Sequence, residues 1–261
     1  VNLLLTNDDG ILAPGLAALY RVLARLGTVH VVAPESPQSA AAHGITVYGP
    51  VVARAMRVGE AFVGTGVEGR PADCVKLALS ALLETKPDLV VSGVNDGANV
   101  GTNVLYSGTV AAAAEGALFG MGAVAVSLER GDTMDFDRAA EVAAGLIEQL
   151  LADPPRTASG AERTGGWLVN INIPALRPGV PRGVRVVRQS LLPMDDTYRA
   201  HRGPDGRDYF WLEGEFRDAD HPPDTDLQAL REGYVALTPL HFDLTHVESC
   251  GHLAEREWRI P

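Results

Sequence analysis

The sequence predicts an α/β fold: a Rossmann-like, doubly wound, mostly parallel sheet with C-terminal β-hairpin extensions. Three observations carry that expectation. Short apolar runs alternate with amphipathic helical stretches through the N-terminal half. Those runs are unbroken, as strands of a parallel sheet covered on both faces must be. Beyond residue 167 the pattern changes to strand-like segments joined by Pro- and Asp-rich connections. Residues 1–152 are therefore expected to form the core that carries the active-site loops. Residues 167–261 are expected to form further strands and an extended hairpin, packed with the core as one domain.

Leu3 to Thr6 is the first apolar run. Leu16, Leu19, Tyr20, Leu23 and Leu26 then recur at helical spacing, with Gly27 where a C-cap glycine belongs. Val29 to Ala33 reads as a second strand stopped by Pro34, and Pro71 opens a helix that includes Val75, Leu77, Ala78, Leu82 and Leu83. Leu89 to Val91 is a buried strand, Thr109 to Phe119 a small-residue helix, Ala123 to Ser127 a strand and Ala139 to Leu151 an amphipathic helix. Asp153 to Gly166 has the composition of a linker. Trp167 to Ile173, Val184 to Arg188, Tyr209 to Glu213 and Tyr234 to Leu237 are the C-terminal strand candidates.

The chain has 261 residues, 46% hydrophobic and 21% charged, the composition of an ordered globular protein. No apolar run reaches the roughly 20 residues of a membrane span, and the first residues lack the features of a signal peptide. Two cysteines, Cys74 and Cys250, make no disulfide framework, so a cytoplasmic location is expected. A net charge of −11 argues against a nucleic-acid polymer as partner. It also means that a small anionic substrate needs a recruited positive charge, for which a divalent cation is the obvious candidate.

Ligands of open parallel sheets collect beyond the carboxyl ends of the strands. Three loops there are rich in oxygen donors: Asn7-Asp8-Asp9-Gly10, Pro34 to Ser39, and Ser92 to Gly101. All-oxygen ligation favours Mg²⁺, Mn²⁺ or Ca²⁺ over zinc. Adjacent aspartates repel each other unless a cation compensates, although Asn-Asp-Asp-Gly is also ordinary turn chemistry. The third loop is neither a Walker motif nor a dinucleotide fingerprint. Its glycines, Gly97 among them, let backbone N–H groups approach an anion. Tyr106-Ser107-Gly108-Thr109 then leads into a helix whose N-terminus favours phosphate, with Ser107 as cap or ligand.

Together these motifs resemble the SurE survival-protein family. The match runs through Leu4-Leu5-Thr6-Asn7-Asp8-Asp9-Gly10, Gln38-Ser39, Pro71-Ala72-Asp73-Cys74-Val75, Pro87 to Asn95, Tyr106 to Val110 and Gly233 to Leu240. The resemblance implies a metal-dependent phosphomonoesterase acting on nucleoside monophosphates, a 5'-nucleotidase with 3'-nucleotidase or exopolyphosphatase activity as further options. It implies one divalent ion per subunit (Mg, Mn or similar) held by Asp8, Asp9, Ser39 and Asn95, and a homodimer or homotetramer built through the C-terminal hairpin. Asp8, Asp9 and Asn95 are the catalytic candidates, acting with metal-activated water. Asn95, Gly97, Ser107, Gly108 and Thr109 are the candidates for holding substrate. Two departures stand out: Gly69-Arg70-Pro71 where the family has Gly-Thr-Pro, and Ala40 where it has Gly.

Two other readings remain open at this level: an aspartyl-phosphate-forming phosphatase, and a nucleotide- or metal-binding sensor without turnover. The spacing of Asp8 and Asp9 counts against the first, since such sites separate their aspartates by one residue. Other residues carry plainer expectations. His43 is an exposed loop histidine and Tyr106 a core-filling aromatic. His241, Asp243 and His246 lie on a solvated surface, as do Glu213, Glu215, Asp218 and Asp220.

Overall fold

The computed structural model describes residues 1–156, 165–192, 195–215 and 221–260. A nine-stranded sheet runs through the molecule. Its first strand, β1 (Asn2–Thr6), pairs in parallel with β2 (Thr28–Pro34) on one side. Helix α1 (Pro14–Leu23) connects the two. Beyond β2 a hairpin of β3 (Val52–Val58) and β4 (Phe62–Glu68) extends the sheet, β4 parallel to β2 and β3 antiparallel to β4. Helix α2 (Pro71–Leu77) continues into a π-helical turn over Ala78–Leu82 and returns the chain to β5 (Leu89–Asp96), on the other side of β1. Helix α3 (Gly108–Leu118) leads to β6 (Gly122–Leu128), and α4 (Phe136–Ala152) precedes β7 (Leu168–Ile173).

The same sheet then takes in β8 (Val184–Val186) and β11 (Val235–Leu240), giving the order β3-β4-β2-β1-β5-β6-β7-β11-β8. A separate antiparallel hairpin, β9 (Asp195–Arg202) with β10 (Asp208–Glu215), projects from the body. Two short helices, α5 (Asp226–Arg231) and α6 (Val247–Ala254), complete the chain.

Successive side chains of a strand point to opposite faces, and the unbroken apolar runs therefore feed two cores. Leu3, Leu5, Leu89, Val91, Val124 and Val126 pack with α1 and α4. Leu4, Val90, Ala123 and Ala125 pack with α2 and α3. The alanines of α3 have a packing reason: the Gly116 Cα lies so close to β5 that a Cβ there would sit 2.7 Å from a Val90 methyl. Burying each core leucine stabilises the fold by roughly 1.5–3 kcal/mol.

Several boundaries differ from the sequence expectation. Helix α1 ends at Leu23, so Leu26 lies in the following turn and Gly27 is not its C-cap. Gly27 is there for closeness instead, since a Cβ would lie 2.0 Å from the Val1 carbonyl oxygen. Strand β2 includes Pro34, whose carbonyl accepts from Ile11 N–H at 2.7 Å. Strand β5 runs on into the glycine-rich segment, because its ladder with β6 resumes at Asn95 after an irregularity beyond Ser92. The β3–β4 hairpin, β9, α5 and α6 were not foreseen. Of the expected linker, residues 157–164 lie outside the described residues.

Candidate active site

Strand order reverses between β1 and β5: the chain goes from β1 to β2 on one side, then from β5 through β6 to β7 on the other. At this switch point the two carboxyl ends diverge and leave a crevice. A cavity of about 680 Å³ opens there, lined by Asp8, Asp9, Ser39, Asn95, Gly97 and Ser107 among others. The oxygen-bearing loops expected from sequence are thus brought to one place.

Asp8 is 5% exposed. The Thr109 hydroxyl donates to its Oδ1 at 2.6 Å. Burial, with a smaller contribution from the neighbouring Asp9 charge, pushes the Asp8 carboxyl up to about 6 against the hydrogen bond from Thr109. Asp9 is also raised, first by burial, while the Asp96 N–H, donating to its Oδ2 at 3.1 Å, works in the opposite direction. Among the described residues neither carboxylate has a cationic partner within bonding distance. Two partly dry carboxylates with no cation bonded to either, and only the more distant Arg130 charge acting on Asp9, form an arrangement that a bound cation relieves.

The turn is built to bring them together. Asn7 is fully buried and its amide donates to the Gly10 carbonyl at 2.9 Å. Gly10 has φ 94° and packs on Ser36, 3.3 Å from where its Cβ would be. Gln38 N–H then donates to the Asp8 carbonyl at 2.7 Å, which ties the Ser39 loop to the first loop. Turn chemistry and the carboxylate pair are therefore two aspects of one construction.

The Asn95 amide nitrogen donates to the Gly97 carbonyl at 2.7 Å, leaving the amide oxygen as the acceptor. Gly108 sits against Asp8, and a Cβ there would lie 2.8 Å from Asp8 Cβ. Three substrate expectations change in detail. The Gly97 N–H donates to the Leu128 carbonyl at 2.9 Å, so it belongs to the sheet and is not offered to a ligand. Thr109 is fully buried behind Asp8 and acts on that carboxylate. Ser107 caps α3 by accepting from Val110 N–H at 3.1 Å, which still leaves its own hydroxyl proton to donate.

Two further side chains near the cavity bear on the sequence expectation, and one of them corrects it. Tyr106 is 58% exposed on the cavity wall and fills no core. His43 is an exposed loop histidine, as expected, but it is not without a partner. Its Nε2 lies 2.8 Å from Glu115 on α3, and Lys76 Nζ lies 2.7 Å from the other Glu115 oxygen. Burial alone would raise the Glu115 carboxyl, but the bonds from His43 and Lys76 hold it below its ordinary range. The Ser39 loop is thereby anchored to α3. His241, Asp243, His246 and Glu213 are exposed as expected, with His246 capping α6, while Asp218 and Asp220 lie outside the described residues.

Of the two departures from the family pattern, Ala40 lies in this loop and Arg70, at the start of α2, packs against it. Ala40 has φ 55° and Ala42 φ 50°, a left-handed backbone that glycine adopts more readily. The Arg70 guanidinium lies directly against Gly44. Sequence reasoning missed Arg130, just past β6, and Asp196, Tyr198 and Leu212, which the β9–β10 hairpin brings to the cavity. No local motif marks them, since they arrive through the sheet order and the reach of the hairpin.

The donor set suits a hard cation. Among the described residues no three of His, Cys, Asp and Glu group to hold a metal. An ion at Asp8 and Asp9 would therefore complete its shell with neutral oxygens, for which Ser39 and Asn95 line the same cavity.

Comparison with known proteins identifies the family. The family described as "Survival protein SurE" matches residues 3–195. A protein of Moorella thermoacetica named "5'-nucleotidase SurE" is 47% identical over 94% of this chain and 91% of its own. One of the same name from Rhodopirellula baltica is 44% identical over 100% and 99%. The crystal structure of the SurE protein from Aquifex aeolicus superposes with TM-score 0.80 at 34% identity, covering 98% of this chain and 100% of that one. The chain belongs to the SurE family.

Proposed function

We propose, from this membership of the SurE family, that the chain is a divalent-metal-dependent 5'-nucleotidase that hydrolyses nucleoside monophosphates. The observation that carries it is the Asp8–Asp9 pair. These adjacent carboxylates stand at the sheet's switch point, in an oxygen-lined cavity, and no cationic side chain among the described residues is bonded to either.

Asp8, Asp9, Ser39 and Asn95 would hold one divalent ion per subunit, Mg²⁺ or Mn²⁺ in kind. Bound there, the ion supplies Lewis-acid polarisation of the phosphoryl group and lowers the pKa of a water. The protein's part is positioning and electrostatics, the main contributions in phosphoryl transfer. Thr109 orients Asp8 through its hydroxyl, and the Asp96 N–H orients Asp9. The Gly108 N–H at the start of α3, its helix dipole and the Ser107 hydroxyl would receive phosphate oxygens. Asp9, the more exposed of the two carboxylates, is the better placed to accept a proton from the attacking water.

Residues 1–152 carry this chemistry, and 167–261 carry assembly into a homodimer or homotetramer. Support for the second statement lies in the surface of the hairpin: Phe210 and Trp211, which do not line the cavity, are each more than half exposed, as apolar side chains awaiting a partner are. Sedimentation of Trp211→Glu should show smaller particles than the parent chain; an unchanged mass excludes this surface as the interface. No described helix is long and apolar enough to cross a membrane, and both cysteines are free, which fits the cytoplasm.

The activity is tested by phosphate release from 5'- and 3'-nucleoside monophosphates and polyphosphate, with Mn²⁺ or with chelator. Release should require the metal and fall about 10³-fold in Asp8→Asn. Full turnover in chelator, or in Asp8→Asn, overturns the assignment.

A further inference from the structure

Asp8, Asp9, Asp96 and Asp196 all line the cavity, and Arg130 is the one cationic side chain among its described lining residues. Even with a dication bound, these carboxylates outweigh the positive charge, and a phosphate dianion must still enter. We propose that Arg130 is the side chain that grips the substrate phosphate, a proposal that rests on the phosphomonoesterase reading above.

The geometry favours that role. Arg130 follows β6 by two residues, at the same carboxyl edge of the sheet as the metal-site loops. Its Nε donates to Asp96 Oδ1 at 2.8 Å. The backbone N–H of Asp96 in turn holds Asp9, so one residue links the guanidinium to the carboxylate pair. Arg130 thereby lies close enough to Asp9 for its charge to favour the ionised carboxylate.

With Nε engaged, both Nη groups are left without a partner among the described residues. Four N–H donors thus remain in a planar fork whose orientation Asp96 has already set. Such a fork matches two oxygens of one phosphate, which a lysine cannot do. The side chain is 74% exposed, so a nucleotide reaches it without rearrangement of the core. An ion pair at this exposure contributes little to folding, which leaves Arg130 replaceable without loss of the fold.

The test uses the full chain with Mn²⁺, comparing the parent with Arg130→Gln and Arg130→Lys. Inhibition constants are measured for inorganic phosphate and for adenosine, beside kcat and KM for AMP. Calorimetric titration with inorganic phosphate measures binding without turnover. Arg130→Gln should raise KM and weaken phosphate binding about tenfold, leave adenosine inhibition unchanged and keep the melting temperature. Arg130→Lys should recover only part of the loss. Unaltered phosphate binding in Arg130→Gln overturns the proposal, as does an equal weakening of phosphate and adenosine. Should the parent release no phosphate from any monophosphate, the activity reading fails by itself, and the calorimetric comparison still decides the role of Arg130.

Discussion

The two walls of the cavity are built on opposite principles. The inner wall, where β1 and β5 meet the start of α3, is buried or half-buried and closely bonded: Asp8 to Thr109, Asp9 to the Asp96 N–H, Gly108 against Asp8. The outer wall, made by the Ser39 loop and the β9–β10 hairpin, is exposed. It includes two left-handed alanines and is tethered at His43 to Glu115 and at Ala42 N–H to the Tyr106 carbonyl. The carboxylate pair is thus fixed by hydrogen bonds and close packing, while the opposite side stands open to solvent. Preorganised polar groups are worth most where water is excluded, so rigidity and burial belong to the same wall.

The sharpest way to break that contrast is to displace the inner wall. Gly108→Ala places a methyl 2.8 Å from Asp8 Cβ and 3.1 Å from a Pro71 side-chain carbon. Phosphate release should drop about 100-fold through misplacement alone, with about 1–3 kcal/mol lost from stability. Steady-state rates and denaturant melts of the variant read both. Wild-type rates would mean that α3 does not position Asp8.

A second, intermediate effect follows from the proton on Asp8. In chelator the native carboxyl holds its proton up to about 6, whereas the unfolded one releases it near 3.8. The native state then binds more protons across that window. Stability contributed by this group is present below the lower value and is lost as pH rises through the upper one, by up to about 3 kcal/mol. Asp8→Asn should remove that part of the slope. A divalent cation needs the ionised form, so its stabilising effect should grow with pH over the same range. Melts with chelator or Mn²⁺ on either side of the window measure this; a cation effect independent of pH would place the ion away from Asp8.

The smallest effect belongs to the outer wall. Ala40→Gly relieves a left-handed backbone worth roughly 1 kcal/mol but adds about 0.4–1 kcal/mol of unfolded-state entropy. Its melting point should hardly move. A large shift in either direction would show that this loop is as tightly determined as the inner wall.

The legibility of the site divides along the same line. Asp8, Asp9, Asn95 and Ser107 could be found in the sequence because each lies in a short local motif at a strand or helix end. Gly108 was visible as a helix-start glycine, yet its service to Asp8 needed the approach of α3 to β1. Thr109 reads as a phosphate contact until the fold buries it behind a carboxylate. The Gly97 N–H reads as an anion donor until the ladder with β6 claims it. For a similar reason exposed His43 gains a buried partner in Glu115, and Tyr106 takes a place on the cavity wall and not in the core.

The amino-acid sequence by itself determined the α/β class, the unbroken strands that feed two cores, and the oxygen-rich loops at their carboxyl ends, because periodicity and turn chemistry act over a few neighbouring residues. Only the tertiary structure decided that the strand order reverses between β1 and β5, that Asp96 connects Arg130 to Asp9, and that a distant hairpin supplies the outer wall. Those depend on contacts between residues far apart in the chain, and no local pattern records them.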